Sequence, residues 1–108
     1  MKKKFRIKKN NEFRSVILCQ KILKCDNILI FYKKNEFNYI RVGITVSSKI
    51  KKAVVRNRIK RQIRSMIDLI IDFNNKKVGL DIIFLVKDKL IKFDCVLEML
   101  KKKLEKIL

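Results

Sequence analysis

The side chains with the plainest chemistry lie between Lys49 and Arg64, where sixteen residues hold eight cations and no acid. From Arg56 to Arg64 the cations are chiefly Arg, the minority cation elsewhere in the chain. A guanidinium forks two hydrogen bonds onto a phosphate and stacks on a base, whereas an ammonium offers a point charge. Most of these cations have no acidic residue three or four positions away with which to pair. Their neutraliser therefore has to be an anionic partner, or water if the face is merely solvated. The chemistry is binding rather than catalysis. The chain has no His, which removes the commonest general base. Cys19, Cys25 and Cys95 are odd in number and lack metal-ligand spacing, so they read as buried free thiols and not as a zinc site. No catalytic residue, protein-bound metal or protein-bound cofactor is expected.

Cations held on one side of a helix need an apolar back to that helix. Val55, Ile59 and Ile63 recur every four residues among the charges. On a helical wheel running from about Ala53 to Phe73, Val55, Ile59, Ile63, Met66, Ile67, Ile70 and Phe73 fall within an arc of about 120°. Asn57, Arg58, Lys60, Arg61 and Arg64 fill the opposite side. Arg56 sits on the border, its stem along the core and its guanidinium reaching out. Asn74 to Lys77 is expected to end the helix, with cations near its negative pole.

The flanking segments read as a small sheet and two further helices. A first helix is expected over Asn11–Lys24, capped by Asn10 or Asn11, with Glu12 in its first turn and Phe13, Val16, Ile17, Ile22 and Leu23 on its apolar side. Asn27 to Tyr32 is β-branched and aromatic, a strand. Lys33 to Glu36 reads as a hairpin loop into a second strand, Tyr39 to Ser47, in which Ile40, Val42, Ile44 and Val46 alternate with Arg41, Gly43, Thr45 and Ser47. Leu80 to Val86 is apolar enough for burial on both faces. Phe93 to Leu108 is a closing amphipathic helix capped by Asp94, with Val96 or Leu97, then Leu100, Leu104 and Ile107, inward. Helices packed on a small sheet make this an α+β fold in one domain, residues 1–108, with residues 1–9 as a basic N-terminal arm.

Composition sets the partner class. Against 29 Lys+Arg stand 10 Asp+Glu, a net charge of +19, while hydrophobic residues make up 48% and suffice for a modest core. Such charge self-repels unless a polyanion neutralises it. Nucleic acid fits better than an anionic membrane, because a membrane-surface helix does not explain the strands around it. A DNA-binding helix-turn-helix is disfavoured, since no short partner helix precedes the basic one. The longest apolar run, Ile82 to Val86, is far below the ~20 residues of a bilayer span. Val16 to Cys19 is too short for a signal-peptide core of roughly 7–15 residues. A cytoplasmic protein is expected.

Three ordered blocks resemble the bacterial ribonuclease P protein family. They are Ile7-Lys8-Lys9-Asn10-Asn11-Glu12-Phe13, then Arg41-Val42-Gly43-Ile44-Thr45-Val46-Ser47, then Ala53 to Arg61 with Arg64, carrying the Arg-Asn-Arg-x-Lys-Arg-x-x-Arg core. The resemblance implies an αβββαβα sandwich with a small mixed sheet and a left-handed crossover, like the second domain of ribosomal protein S5. It implies an accessory subunit of an endoribonuclease whose RNA subunit carries the chemistry. That RNA, with Mg²⁺ bound mainly by it, removes the 5′ leader of precursor tRNA. Lys52, Arg56, Asn57, Arg58, Lys60, Arg61 and Arg64 would bind the ribonuclease P RNA. Phe13, Ile17, Phe31, Thr45 and Ser47 would line a cleft for the precursor tRNA leader, between the sheet and the Arg-rich helix. For Phe13 and Phe31 an ordinary core role is equally open on sequence alone. The chain departs from the family at Ser48 (usually Lys), Lys51 (usually Gly), Lys52 (often small or polar) and Ile17 (commonly aromatic). A ribosomal-protein-like RNA binder with no role in tRNA processing is the alternative.

Overall fold

The computed structural model describes residues 2–25, 27–88 and 93–108; Met1, at the head of the expected arm, lies outside them. A 3₁₀ turn at Lys3–Phe5 precedes α1 (Asn10–Leu18), β1 (Ile22–Cys25), β2 (Ile28–Lys34), β3 (Ile40–Val46), α2 (Ala53–Ile70), β4 (Leu80–Val86) and α3 (Phe93–Glu105). The order αβββαβα is the one implied by the resemblance, and the sheet is mixed: β1-β2-β4-β3, antiparallel except for the β3–β4 pair.

Two local expectations are corrected. The first helix stops at Leu18 instead of running to Lys24, because Gln20 turns the chain in the left-handed region (φ 61°) and Ile22–Cys25 pairs antiparallel with Ile28–Phe31. That conformation costs a non-glycine residue roughly 1 kcal/mol. Neither asparagine caps α1: its N-cap is Lys9, without a side-chain bond, and Asn11 Oδ1 accepts only from the Glu12 N–H, at 3.0 Å. The Lys33–Glu36 hairpin does not exist either. β2 runs on to Lys34, and β4 inserts between β2 and β3, pairing with both. The apolar β4 is buried on both faces in that central place.

Two cores result. On one face Ile28, Ile30, Ile40, Val42, Ile82 and Phe84 meet Ile59, Ile63, Met66 and Ile67 of α2 and Val96, Leu100 and Leu104 of α3. On the other, α1 lays Val16 over Phe31, Ile83 and Ile7. Helix α2 ends at Ile70, short of Phe73, because Ile71 is extended and Phe73 turns back to stack on Phe5 at 5.0 Å. The segment after Met1 is docked on the sheet. Phe5 and Ile7 are buried, and the Ile7 N–H donates to the Val42 carbonyl at 2.9 Å. It covers the outer edge of β3, which would otherwise present unpaired backbone groups.

Candidate nucleic-acid interface

Helix α2 turns Ile59, Ile63, Met66 and Ile67 inward and leaves Lys52, Asn57, Arg58 and Arg61 exposed, with Arg56, Lys60 and Arg64 half-buried. Its N-cap, Lys52, makes no side-chain cap bond, and its first turn holds no acid. The free N–H groups and positive dipole end therefore add to the cations around them. Asn57, Lys60, Arg61 and Arg64 line a shallow hollow of about 470 Å³ together with Val54, whose side chain is 69% exposed. Sequence reasoning passed over Val54. Its signal is the spacing Val54, Asn57, Arg61, Arg64, one helical stripe carrying an apolar residue off the core side.

Arg56 has a different job from its neighbours. Its Nη1 donates to the carbonyls of Ile50 at 2.7 Å and Lys51 at 2.9 Å, so it ties the entry loop to the helix. Ser47 shapes the same loop, its Oγ accepting from the Lys49 N–H at 3.2 Å and its carbonyl from the Ile50 N–H at 3.1 Å. Lys51 sits in the loop without backbone strain, since among the described residues Gln20 is the one non-glycine at positive φ.

The opposite sheet face is ordered in rows by its register: Lys33–Asp81–Arg41, then Phe31–Ile83–Gly43, then Leu29–Leu85–Thr45. Helix α1 lies over the middle row. Phe13 rests on Gly43 so closely that a Cβ there would come within 2.6 Å of its ring. Phe31 is 7% exposed beneath α1 and belongs to the core, while Phe13 and Thr45 are half-buried and Ile17 is 37% exposed. Phe13, Leu29 and Leu85 pack with Phe31 beneath α1, Ile17 is exposed on that helix, and Thr45 pairs with Leu85 on β3. Ser47 lies just past the end of β3, beyond Val46. The space between the sheet and α2, where the resemblance implied a leader cleft, is filled by the core.

The remaining row locks α1 in place. Arg41 donates from Nε and Nη2 to Asp81 at 2.9 and 2.8 Å and from Nη1 to Glu12 at 2.6 Å. Asp81 also accepts from Asn35 at 2.7 Å, and Lys33 Nζ reaches Ser15 at 2.7 Å. The hydrogen bonds to Asp81, opposed by burial and reinforced by Glu12, raise the Arg41 pKa above its ordinary value. Arg41 is half-buried and paired with carboxylates on two other elements, so it is a tether of α1 and not a free phosphate contact. The visible sequence hint was a single Asp inside an apolar strand. Among the described residues no group of three His, Cys, Asp or Glu side chains could hold a metal ion, and no helix is long and apolar enough to cross a membrane.

The family model described as Ribonuclease P matches residues 1–108. A ribonuclease P protein component from Mycoplasma mycoides is 42% identical over 95 residues, covering 85% of this chain and 84% of the relative. Among solved structures, the RNase P protein of Staphylococcus aureus superposes with a TM-score of 0.79 at 26% identity, over 95% of this chain and 94% of that one. The Thermotoga maritima protein gives 0.78 at 28% identity, over 95% and 97%.

Proposed function

This chain belongs to the ribonuclease P protein family and is a subunit of ribonuclease P; from that premise we propose how it serves the enzyme. Its α2 surface binds the catalytic RNA. Its surface beside α1 holds the single-stranded 5′ leader of precursor tRNA. The RNA subunit, with its own Mg²⁺, performs the endonucleolytic cut in the cytoplasm. The observation that carries this reading is the pairing of two unlike surfaces on one small sheet. The α2 end is acid-free, uncapped and studded with exposed Asn57, Arg58 and Arg61, which suits phosphates of a folded RNA. The other surface carries the half-buried ring of Phe13 and exposed Ile17 on α1 and half-buried Thr45 on β3, which suits an unstacked strand. Phe31 supports α1 from below rather than stacking a base itself. Mg²⁺ supplies the charge stabilisation and activated water that phosphodiester cleavage needs. Two carboxylates beside α1, Glu12 and Asp81, are already engaged by Arg41.

Reconstitution tests it. The protein alone should show no nuclease activity, and with ribonuclease P RNA it should speed removal of the leader at low Mg²⁺. If it binds the RNA yet leaves leader removal unchanged, the ribosomal-type alternative replaces this reading.

A further inference from the structure

At the far end of α2, away from its arginines, the chain closes a second hollow of about 480 Å³. Three segments meet there: the docked N-terminus, the start of β3, and the turn after α2. The walls are aromatic. Phe73 stacks on Phe5, Tyr39 meets Phe5 edge-on at 5.7 Å, and Phe37 lies against Tyr39 at 5.2 Å with 31° between the rings. Lys4 Nζ sits 4.9 Å from the Phe5 ring and 5.4 Å from that of Tyr39. Lys77, Asn38 and Asn74 complete the rim, which contains no acid.

We propose that this hollow is a second single-strand subsite, taking an unstacked nucleotide from the upstream part of the precursor tRNA leader. The proposal rests on the reading of the α1 surface as the first leader site. A planar base finds ring surface at half-buried Tyr39; Phe37 lies outside the hollow, between Tyr39 and the Arg41 guanidinium, which sits 4.7 Å from its ring centroid. Asn38 and Asn74 offer both donors and acceptors to a base edge, and Lys4 and Lys77 hold the flanking phosphates. The platform is pre-organised, which spares ordering cost on binding. Asn35 Oδ1 accepts from the Phe37 N–H at 2.9 Å, and the Asn35 N–H donates to the Gly79 carbonyl at 3.1 Å. Gly79 has no room for a Cβ, which would meet the Phe37 carbonyl at 2.1 Å.

A flexible strand is favoured over the folded RNA on α2. With 18 residues, α2 spans on the order of 27 Å, so one local RNA contact does not cover both of its ends. Between them the helix surface changes sign, with exposed Asp68 and then Asp72. A rigid phosphate backbone following α2 would run over those carboxylates, whereas a single strand approaches past β3 without meeting them.

The test uses the reconstituted holoenzyme and precursor tRNAs whose leader is lengthened one nucleotide at a time. Wild-type affinity should rise in a first step, as the α1 surface fills, and again at a greater length. Tyr39→Leu should remove about fivefold or more of the second step, the low end of one base stacked on an aromatic ring, and leave the first intact. Tyr39→Phe should retain it, and Lys77→Glu, on an exposed segment, should remove it without lowering the unfolding midpoint. A photoreactive base placed at the second step should crosslink to this loop. Three results overturn the proposal alone: a wild-type series with only one step, variants that match wild type at every length, or a loss shared equally by mature tRNA or by the RNA subunit, which would assign the hollow to the folded RNA. A wild-type holoenzyme that prefers no leader at all overturns the parent reading as well.

Discussion

Arg56 and Arg61 are the same residue type on the same helix, and their replacement should fail in different ways. Arg61 is exposed on the hollow of α2, whereas Arg56 spends Nη1 on the Ile50 and Lys51 carbonyls. Replacing Arg58 and Arg61 by Ala should weaken RNA binding and flatten the log–log salt dependence by roughly 0.7–0.9 for each phosphate left without its cation. Arg56→Ala should lower the protein's own stability by ~1–3 kcal/mol, the cost of charge-assisted bonds to two carbonyls, with a smaller change in slope. Salt titrations of RNA affinity beside denaturant melts separate the two, and equal slopes for Arg56 and Arg61 variants would refute the division. At this scale the sequence was informative about which residues carry charge and poor about what each charge touches. Arg41 sat in a plain alternation and gave no sign that Glu12 and Asp81 converge on it from two other elements. Phe13 and Phe31 were indistinguishable as rings, and only the register of β2, β4 and β3 puts Phe31 under α1 and Phe13 over Gly43.

Among the elements, α2 shows a local rule broken where function would want it broken. A helix of this length ordinarily begins with Ser, Thr, Asp or Asn and carries acid in its first turn. Here Lys52 occupies the N-cap, in an extended conformation (φ −79°, ψ 122°) that a capping residue could adopt unchanged. Lys52→Asp should therefore stabilise the isolated protein by about 1 kcal/mol while weakening its affinity for the catalytic RNA. Thermal or denaturant unfolding and RNA titration of the same variant test it, and a gain in both would mean that the bare N-terminus has no part in binding. The periodic elements α2, β2, β3, β4 and α3 were legible because each alternation or stripe is dictated by a face it buries. β1 was not. Ile22–Cys25 is four residues long and continues the loose apolar spacing of α1, and the break at Gln20 lacks the glycine that usually marks one. The missing hairpin is the other kind of failure. The residues after β2 turn the chain equally well whether β3 returns beside β2 or one strand further over. That choice belongs to β4, a distant and doubly buried strand that needs a neighbour on each side.

For the molecule as a whole, charge and size combine to oppose folding and binding in their response to salt. The described chain measures 35 × 29 × 25 Å and the protein carries a net +19. The Debye length is about 30 Å at roughly 0.01 M salt, so there nearly every cation feels every other across the fold; at about 0.15 M it is ~8 Å and only neighbours interact. Isolated protein should therefore gain stability as salt rises through that range, because self-repulsion of the compact state is screened. Binding to ribonuclease P RNA should weaken over the same range, because releasing counterions from phosphates gains less free energy as the bulk salt rises. A short polyanion should reproduce the stabilising effect at low salt by mass action on the folded state. Unfolding midpoints of the protein alone, taken beside RNA affinities in the same buffers, should show slopes of opposite sign. Stability that stays flat with salt would mean that the +19 chain repels itself no more when folded than when unfolded. The uncapped, acid-free end of α2 would then lose its standing as charge held in reserve for RNA.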